Sequence, residues 1–301
     1  MVEGGVWPAS VTALGSNGRP DPAGQARLLA WFEASDCRGA VLAGTNGEGP
    51  SLSAPEKRDL LRDAMPARGR LGVVLGVATS SLEEARWSTR QAAALGADGV
   101  LLMPPSYFRE APADAIADWL EAVVADSPCD VIVYNFPQRT GSAIPAETLA
   151  RLARLERFAG VKDSSGDPSN LPAYRQAIGE GRVAFVGDET LLVEALRNGW
   201  SGTISGAANV LAPWLSAIVA DWVADRESAE AKFELALPCI RALRAHPQPA
   251  LSKALLHAMG VLPDPSVRLP LRPARTDTVR EVARLLAERL GLRFPNLPDG
   301  P

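Results

Sequence analysis

Runs of consecutive apolar residues recur about every 30 positions through the first two-thirds of the chain, separated by longer stretches of mixed polarity. Eight such runs are Ser10 to Leu14, Gly39 to Ala43, Leu71 to Gly76, Gly99 to Met103, Asp130 to Tyr134, Phe158 to Val161, Val183 to Val186 and Gly202 to Ser205. They are apolar throughout rather than alternating, the pattern of parallel strands covered on both faces. Helical segments lie between them. Ser53-Ala54-Pro55-Glu56 and Ser81-Leu82-Glu83-Glu84 open two with capping-box spacing. Asp114 to Ala125, Pro145 to Leu155, Pro168 to Ile178, Glu189 to Asn198 and Pro213 to Val223 supply most of the rest. Eight strand–helix units predict an α/β protein built as a (β/α)8 barrel over residues 1–225.

From residue 226 to 301 no strand pattern remains, and the spacing predicts a helical extension with helices over 228–244, 248–259 and 276–290. In the last of these Val279, Val282, Leu285, Leu286 and Leu290 fall on one face. The Pro-rich end, 294–301, reads as frayed.

Composition narrows the partners. A net charge of −4 with no basic block leaves no footprint for nucleic acid. No apolar run approaches the ~18 residues of a membrane span, and the first residues carry no basic-then-apolar leader, so the expected location is the cytoplasm. The three cysteines are far apart and read as small buried hydrophobes. Only two histidines occur, His246 and His257, and with no histidine cluster the expected metal complement is none.

Candidate chemistry comes from rare residues. There are 4 lysines against 27 arginines, and Lys162 alone sits where an apolar run enters turn residues, Phe158-Ala159-Gly160-Val161-Lys162-Asp163-Ser164-Ser165-Gly166. Desolvation disfavours a charged amine, and a neutral amine attacks carbonyls; arginine cannot substitute for it. A snorkelling stem is the plain alternative. In a barrel the chemistry gathers at the C-terminal ends of the strands. Two of the three tyrosines, Tyr107 and Tyr134, fall there and can relay protons; solvated rim aromatics are the alternative. Gly44-Thr45-Asn46-Gly47 offers a hydroxyl, an amide and permissive backbone for a small carboxylate. Arg139 can take a carboxylate bidentately, or simply lie on the surface. Asp188 and Glu189 follow the seventh run with no Lys or Arg near, which points to an unphosphorylated substrate.

Together these motifs resemble the dihydrodipicolinate synthase / N-acetylneuraminate lyase family of class I, Schiff-base, pyruvate-dependent aldolases. The resemblance runs from Val11 to about Leu290. It is carried by Gly44-Thr45-Asn46-Gly47-Glu48, Tyr134-Asn135-Phe136-Pro137, Gly160-Val161-Lys162-Asp163, and Gly202-Thr203-Ile204-Ser205 with Ala208-Asn209-Val210. It implies that Lys162 forms the imine with pyruvate and Tyr134 shuttles protons. Thr45 would hydrogen-bond Tyr134, and Tyr107 would complete a relay by reaching into a neighbouring subunit. It further implies substrate contacts from Asn46, Gly47, Arg139, Gly187, Ile204 and Ser205. The remaining implications are no cofactor beyond the lysine imine, a keto acid and an aldehyde as partners, and a homodimer or homotetramer.

Tyr107 and Arg139-Thr140-Gly141 look like the dihydrodipicolinate synthase branch, acting on pyruvate and aspartate semialdehyde. Asn46 instead resembles the 4-hydroxy-2-oxoglutarate and 2-keto-3-deoxy sugar-acid aldolases, the alternative reading. Gly49, Lys57 and Ser106 at the feedback positions imply weak lysine inhibition or none. A non-catalytic keto-acid-binding barrel is the competing class, but binding alone needs no lysine with a proton relay.

Overall fold

The computed structural model describes residues 2–297. Its eight strands are β1 (Gly5–Pro8), β2 (Gly39–Leu42), β3 (Gly72–Ala78), β4 (Gly99–Met103), β5 (Asp130–Asn135), β6 (Phe158–Asp163), β7 (Val183–Val186) and β8 (Gly202–Ser205). All are parallel, in the order β1-β8-β7-β6-β5-β4-β3-β2. The ring closes between β1 and β2 through Arg38 N donating to Val6 O (2.9 Å) and Ser10 N to Val41 O (3.0 Å). This is the barrel that the eight apolar runs predict.

Helices α1 (Pro22–Ala34), α2 (Ala54–Ala64), α3 (Leu82–Ala94), α4 (Ala113–Ala125), α5 (Pro137–Thr140), α6 (Ala146–Leu152), α7 (Asn170–Ile178), α8 (Leu192–Arg197) and α9 (Ala208–Ala224) lie between or after the strands. The capping box expected at Ser53 is present: its side chain accepts from Glu56 N, and Glu56 answers to Ser53 N. The hydrophobic pattern did not name α1, although Asp21 caps it at Ala23 N and Gly24 N, with Pro22 at its first position. Three further helices, α10 (Arg226–Arg244), α11 (Ala250–Ala258) and α12 (Thr276–Leu290), follow.

The first strand corrects the sequence expectation. It runs over Gly5–Pro8, not Ser10–Leu14. The later segment is buried, yet side chains rather than a neighbouring strand satisfy much of its backbone. Val11 N donates to Asn209 Oδ1 at 2.9 Å and Ala13 N to Gln25 Oε1 at 3.2 Å. A buried amide needs a partner, and sequence periodicity does not reveal which kind it finds.

Two apolar layers result. The inner one fills the barrel with Trp7, Val41, Leu101, Ile132, Phe185 and Ile204. The outer one lies between strands and helices, with Val73, Val133, Leu149, Phe158 and Leu215 among its members. All three cysteines are free and buried in the outer layer, as expected; burial pushes the Cys37 thiol up to about 12. Among the described residues no helix is long and apolar enough to cross a membrane.

Candidate active site

Strand register assembles the centre. Tyr134 on β5 pairs with Lys162 on β6, and Lys162 with Phe185 on β7. Partners in register point to the same face, so the amine and the phenol both face the barrel interior. Lys162 is 4% exposed and Tyr134 also 4%. Nζ of Lys162 stands 4.1 Å from the centroid of the Tyr134 ring. Gly187, just past β7, leaves room for this lysine: a Cβ there would come within 2.8 Å of Lys162 Cε and closer still to Ser164 Oγ.

The end of β6 is braced below the amine. Asp163 accepts from Asn135 Nδ2 (2.7 Å) and Ser165 N (3.0 Å) through Oδ1, and from Ser165 Oγ (2.8 Å) through Oδ2. Lys162 therefore projects from a strand whose next residue is tied to both β5 and the following loop.

Two cavities of about 360 and 160 Å³ meet at this point and share Thr45, Tyr134, Arg139 and Gln248. The smaller contains Lys162, Asn46, Ser164, Gly187 and Arg244. The larger is walled by Val77, Leu101, Met103 and Leu271, with Ser106 at its edge. Asn46 packs against Gly206, where a Cβ would lie 2.5 Å from its Nδ2. Arg139 is exposed, its guanidinium 5.9 Å from the Phe136 ring centroid, with no carboxylate partner among the described residues.

Other expected contacts fall elsewhere. Ile204 lies in the inner core, and Ser205 is fully buried with its hydroxyl donating to Glu189 at 2.6 Å. Neither lines either of these cavities; Gly206 and Ala207, immediately after them, line the smaller. Gly47 supports its loop from beneath, its carbonyl accepting from Thr12 Oγ1 at 2.6 Å. The Tyr134 hydroxyl is met by Ser164 Oγ at 3.2 Å, and no bond joins it to Thr45 among the described residues. Tyr107 is 83% exposed and packs edge-on to Phe108, outside both cavities of its own chain. Of the feedback positions, Lys57 is buried, and its amine is pushed down by desolvation against the opposing pull of Glu84.

Contrary to the expectation from local sequence, an arginine does stand beside Asp188 and Glu189. Arg244, in the last turn of α10, reaches both: Nη1 to Glu189 Oε2 and Nη2 to Asp188 Oδ2, each 2.7 Å. Burial alone would raise the Glu189 carboxyl; the Arg244 charge and the bonds from Ser205 and Ala207 outweigh it and hold the carboxyl below its ordinary value.

The loop that carries Thr45 and Asn46 is anchored from the extension as well. Glu48, in the left-handed region at φ 56°, is buried against the fully buried Lys253 of α11. Arg268 N donates to its other oxygen at 2.7 Å, and the Arg268 side chain holds Ser51 O, Gly18 O and Glu56.

Ser164 had a sequence signal: it stands two residues after Lys162, hence on the same strand face. Arg244, Gln248 and Lys253 had none, since nothing local in a helix says which strand end it folds back over.

The model of the dihydrodipicolinate synthetase family matches residues 3–289. The 4-hydroxy-tetrahydrodipicolinate synthase of Moorella thermoacetica is 33% identical over 290 residues, covering 96% of this chain and 99% of that one. That of Methanosarcina acetivorans is 34% identical over 273 residues, covering 89% and 92%. Among solved structures, dihydrodipicolinate synthase from Thermotoga maritima superposes with a TM-score of 0.91 at 27% identity, covering 97% of this chain and all of the other. The Acinetobacter baumannii enzyme complexed with pyruvate gives 0.90 at 27% identity, with the same coverage. A lysine and a tyrosine paired in register inside an eight-stranded barrel, and relatives matched from end to end, make this chain a lyase of the dihydrodipicolinate synthetase family.

Proposed function

We propose that this protein joins pyruvate to an aldehyde, or splits the product, through an imine on Lys162. The observation that carries the reading is the buried amine over Tyr134, with Ser164 on the phenol. Lys162 Nζ attacks the pyruvate carbonyl to give a carbinolamine. Tyr134 hands a proton to the departing hydroxyl, which leaves as water, and the iminium so formed withdraws electrons from the methyl carbon. Loss of a methyl proton gives an enamine, which attacks the aldehyde carbon; water then releases the product and frees the amine. The covalent lysine imine is the only cofactor this chemistry needs.

Thr45, Asn46 and Gly47 supply the turn for the pyruvate carboxylate, and Arg139, without a carboxylate partner among the described residues, takes the carboxylate of the aldehyde. Aspartate semialdehyde, the synthase substrate, satisfies that requirement. So does glyoxylate, the aldehyde released from 4-hydroxy-2-oxoglutarate; that substrate, with the hydroxylated aldehydes released from 2-keto-3-deoxy sugar acids, is a second reading favoured by Asn46.

The exposed Tyr107 supports a homodimer or a tetramer of dimers in which Tyr107 of a second copy enters the larger cavity beside Thr45 and Tyr134. We place the enzyme in the cytoplasm, with residues 226–301 completing the site of the 1–225 barrel.

The test is borohydride reduction with pyruvate, followed by intact mass and peptide mapping. A pyruvyl adduct on Lys162 is expected; folded protein that takes up none removes the mechanism.

A further inference from the structure

Arg244 occupies an unusual place. It belongs to the helical extension, yet it lines the same cavity as Lys162, Tyr134 and Arg139. Two carboxylates hold it still. Glu189, 2% exposed, takes Nη1, and Asp188, 15% exposed, takes Nη2, while the Arg244 side chain keeps 38% of its surface open. Nη1 also reaches toward Gly187 O at 3.4 Å.

The carboxylates are spent in turn. Glu189 Oε1 accepts from Ser205 Oγ (2.6 Å) and Ala207 N (3.1 Å), and Asp188 Oδ1 from Thr190 N (3.0 Å) and Oγ1 (2.6 Å). A guanidinium has five N–H donors. On Arg244, Nε–H and one hydrogen of Nη2 have no acceptor among the described residues. Arg244 lines the cavity, so these unspent donors belong to its wall.

Charge decides what those donors read. The trio of Asp188, Glu189 and Arg244 carries a net negative charge, so it is a poor seat for a second carboxylate, which Arg139 takes more readily. A cation brought to Arg244 meets another cation first, and the Glu189 and Asp188 oxygens behind it already bind that guanidinium. An uncharged oxygen meets two spare N–H groups on a group already held in place, so little ordering is lost on binding.

We propose that Arg244 is a specificity-determining residue that hydrogen-bonds an uncharged oxygen, hydroxyl or carbonyl, on the carbon chain of the aldehyde. It thereby favours hydroxylated carboxylate-bearing aldehydes over the amino aldehyde. The proposal rests on the pyruvate–aldehyde reading of this site and favours its hydroxylated aldehydes over aspartate semialdehyde.

Three four-carbon aldehydes test it, each with a terminal carboxylate and differing only at C2: succinic semialdehyde, aspartate semialdehyde and malic semialdehyde. Wild type is expected to give its highest kcat/KM with malic semialdehyde. In Arg244→Met the loss with malic semialdehyde should exceed that with succinic semialdehyde by about 10- to 100-fold. Arg244→Lys keeps the charge without the fork and serves where the methionine variant does not fold; the same selective loss is expected. Equal losses with all three aldehydes, or a wild type that prefers aspartate semialdehyde, overturn the proposal and leave Arg244 a brace for Asp188 and Glu189. Pyruvate–borohydride trapping needs no aldehyde and is run beside these assays. A wild-type chain that forms no adduct on Lys162 overturns the pyruvate reading itself, and the proposal with it, whereas an adduct with equal losses overturns the proposal alone.

Discussion

The Ser164 hydroxyl donates to the Tyr134 hydroxyl at 3.2 Å, inside a barrel that leaves the phenol 4% exposed. A buried phenol that relays protons depends on what fixes its oxygen. Tyr134→Phe removes the relay and should lower kcat by about 10²- to 10⁴-fold. Ser164→Ala leaves the phenol in place but unheld, and a smaller loss is expected. Steady-state kcat, with the rate of borohydride-trapped adduct, checks both; a Ser164→Ala variant as impaired as Tyr134→Phe would make Ser164 the proton carrier.

Gly187 is the steric counterpart of Lys162. A Cβ there would lie 2.8 Å from Lys162 Cε, so Gly187→Ala must displace the amine or Ser164. A displacement of about 1 Å at a reacting atom can cost about 10²-fold in rate. We expect Gly187→Ala to keep its circular dichroism spectrum while the pyruvyl adduct forms at least that much more slowly. Adduct formation at the wild-type rate would show that the lysine has slack.

Glu48 and Lys253 form a buried pair, 1% and 0% exposed. Burial pulls the Lys253 amine down, and Glu48 opposes it. Lys253→Met strands the carboxylate beneath the Thr45–Asn46 turn and should cost about 3–5 kcal/mol in thermal or denaturant unfolding. Removing both charges, Glu48→Gln with Lys253→Met, should cost less than the single change. A double variant as unstable as the sum of the two singles would mean the charges do not interact. Because the same turn is proposed to hold pyruvate, KM for pyruvate should rise in Lys253→Met.

Acid stability has a predicted slope at Glu56. The Arg268 hydrogen bond, with smaller help from Ser53, pulls the Glu56 carboxyl down to about 2 against its ordinary 4.5, despite partial burial. A carboxyl lowered by folding stabilises the fold above its ordinary value, and that contribution fades as pH falls from about 4.5 to about 2. Glu56→Gln should therefore melt lower at pH 7 and lose less Tm over that interval than wild type. Parallel Tm–pH curves would contradict the assignment.

Much of the scaffold is legible because buried parallel strands leave uninterrupted apolar runs. Gly99–Met103, Val183–Val186 and Gly202–Ser205 coincide residue for residue with the pattern. The first strand escapes it because Ser10–Leu14 is just as apolar and just as buried, yet its Val11 and Ala13 amides are satisfied by the side chains of Asn209 and Gln25. In the centre, Lys162 and Tyr134 stand out as scarce residue types at strand ends. Arg244 and Lys253 do not, since their importance lies in the fold of a distant helix pair over the barrel mouth, and helical periodicity is blind to that. Ile204 and Ser205 are neighbours on β8, so alternation turns only Ile204 into the barrel, and the strand-end motif marks the segment without telling the two apart.

The pairing of β1 with β8 has a consequence for how the chain is made. Gly5 meets Gly202, and almost the entire barrel is synthesised between them. At ribosomal speeds of about 5–20 residues per second the first strand, which meets β2 early, waits roughly 10 to 40 s for this second partner. Helices form in about a microsecond, so the intervening units have time to assemble while the β8-facing edge of β1 remains unpaired. Pairing of β1 with β8 then closes the barrel, and until it does that edge of β1 is open to association with other chains.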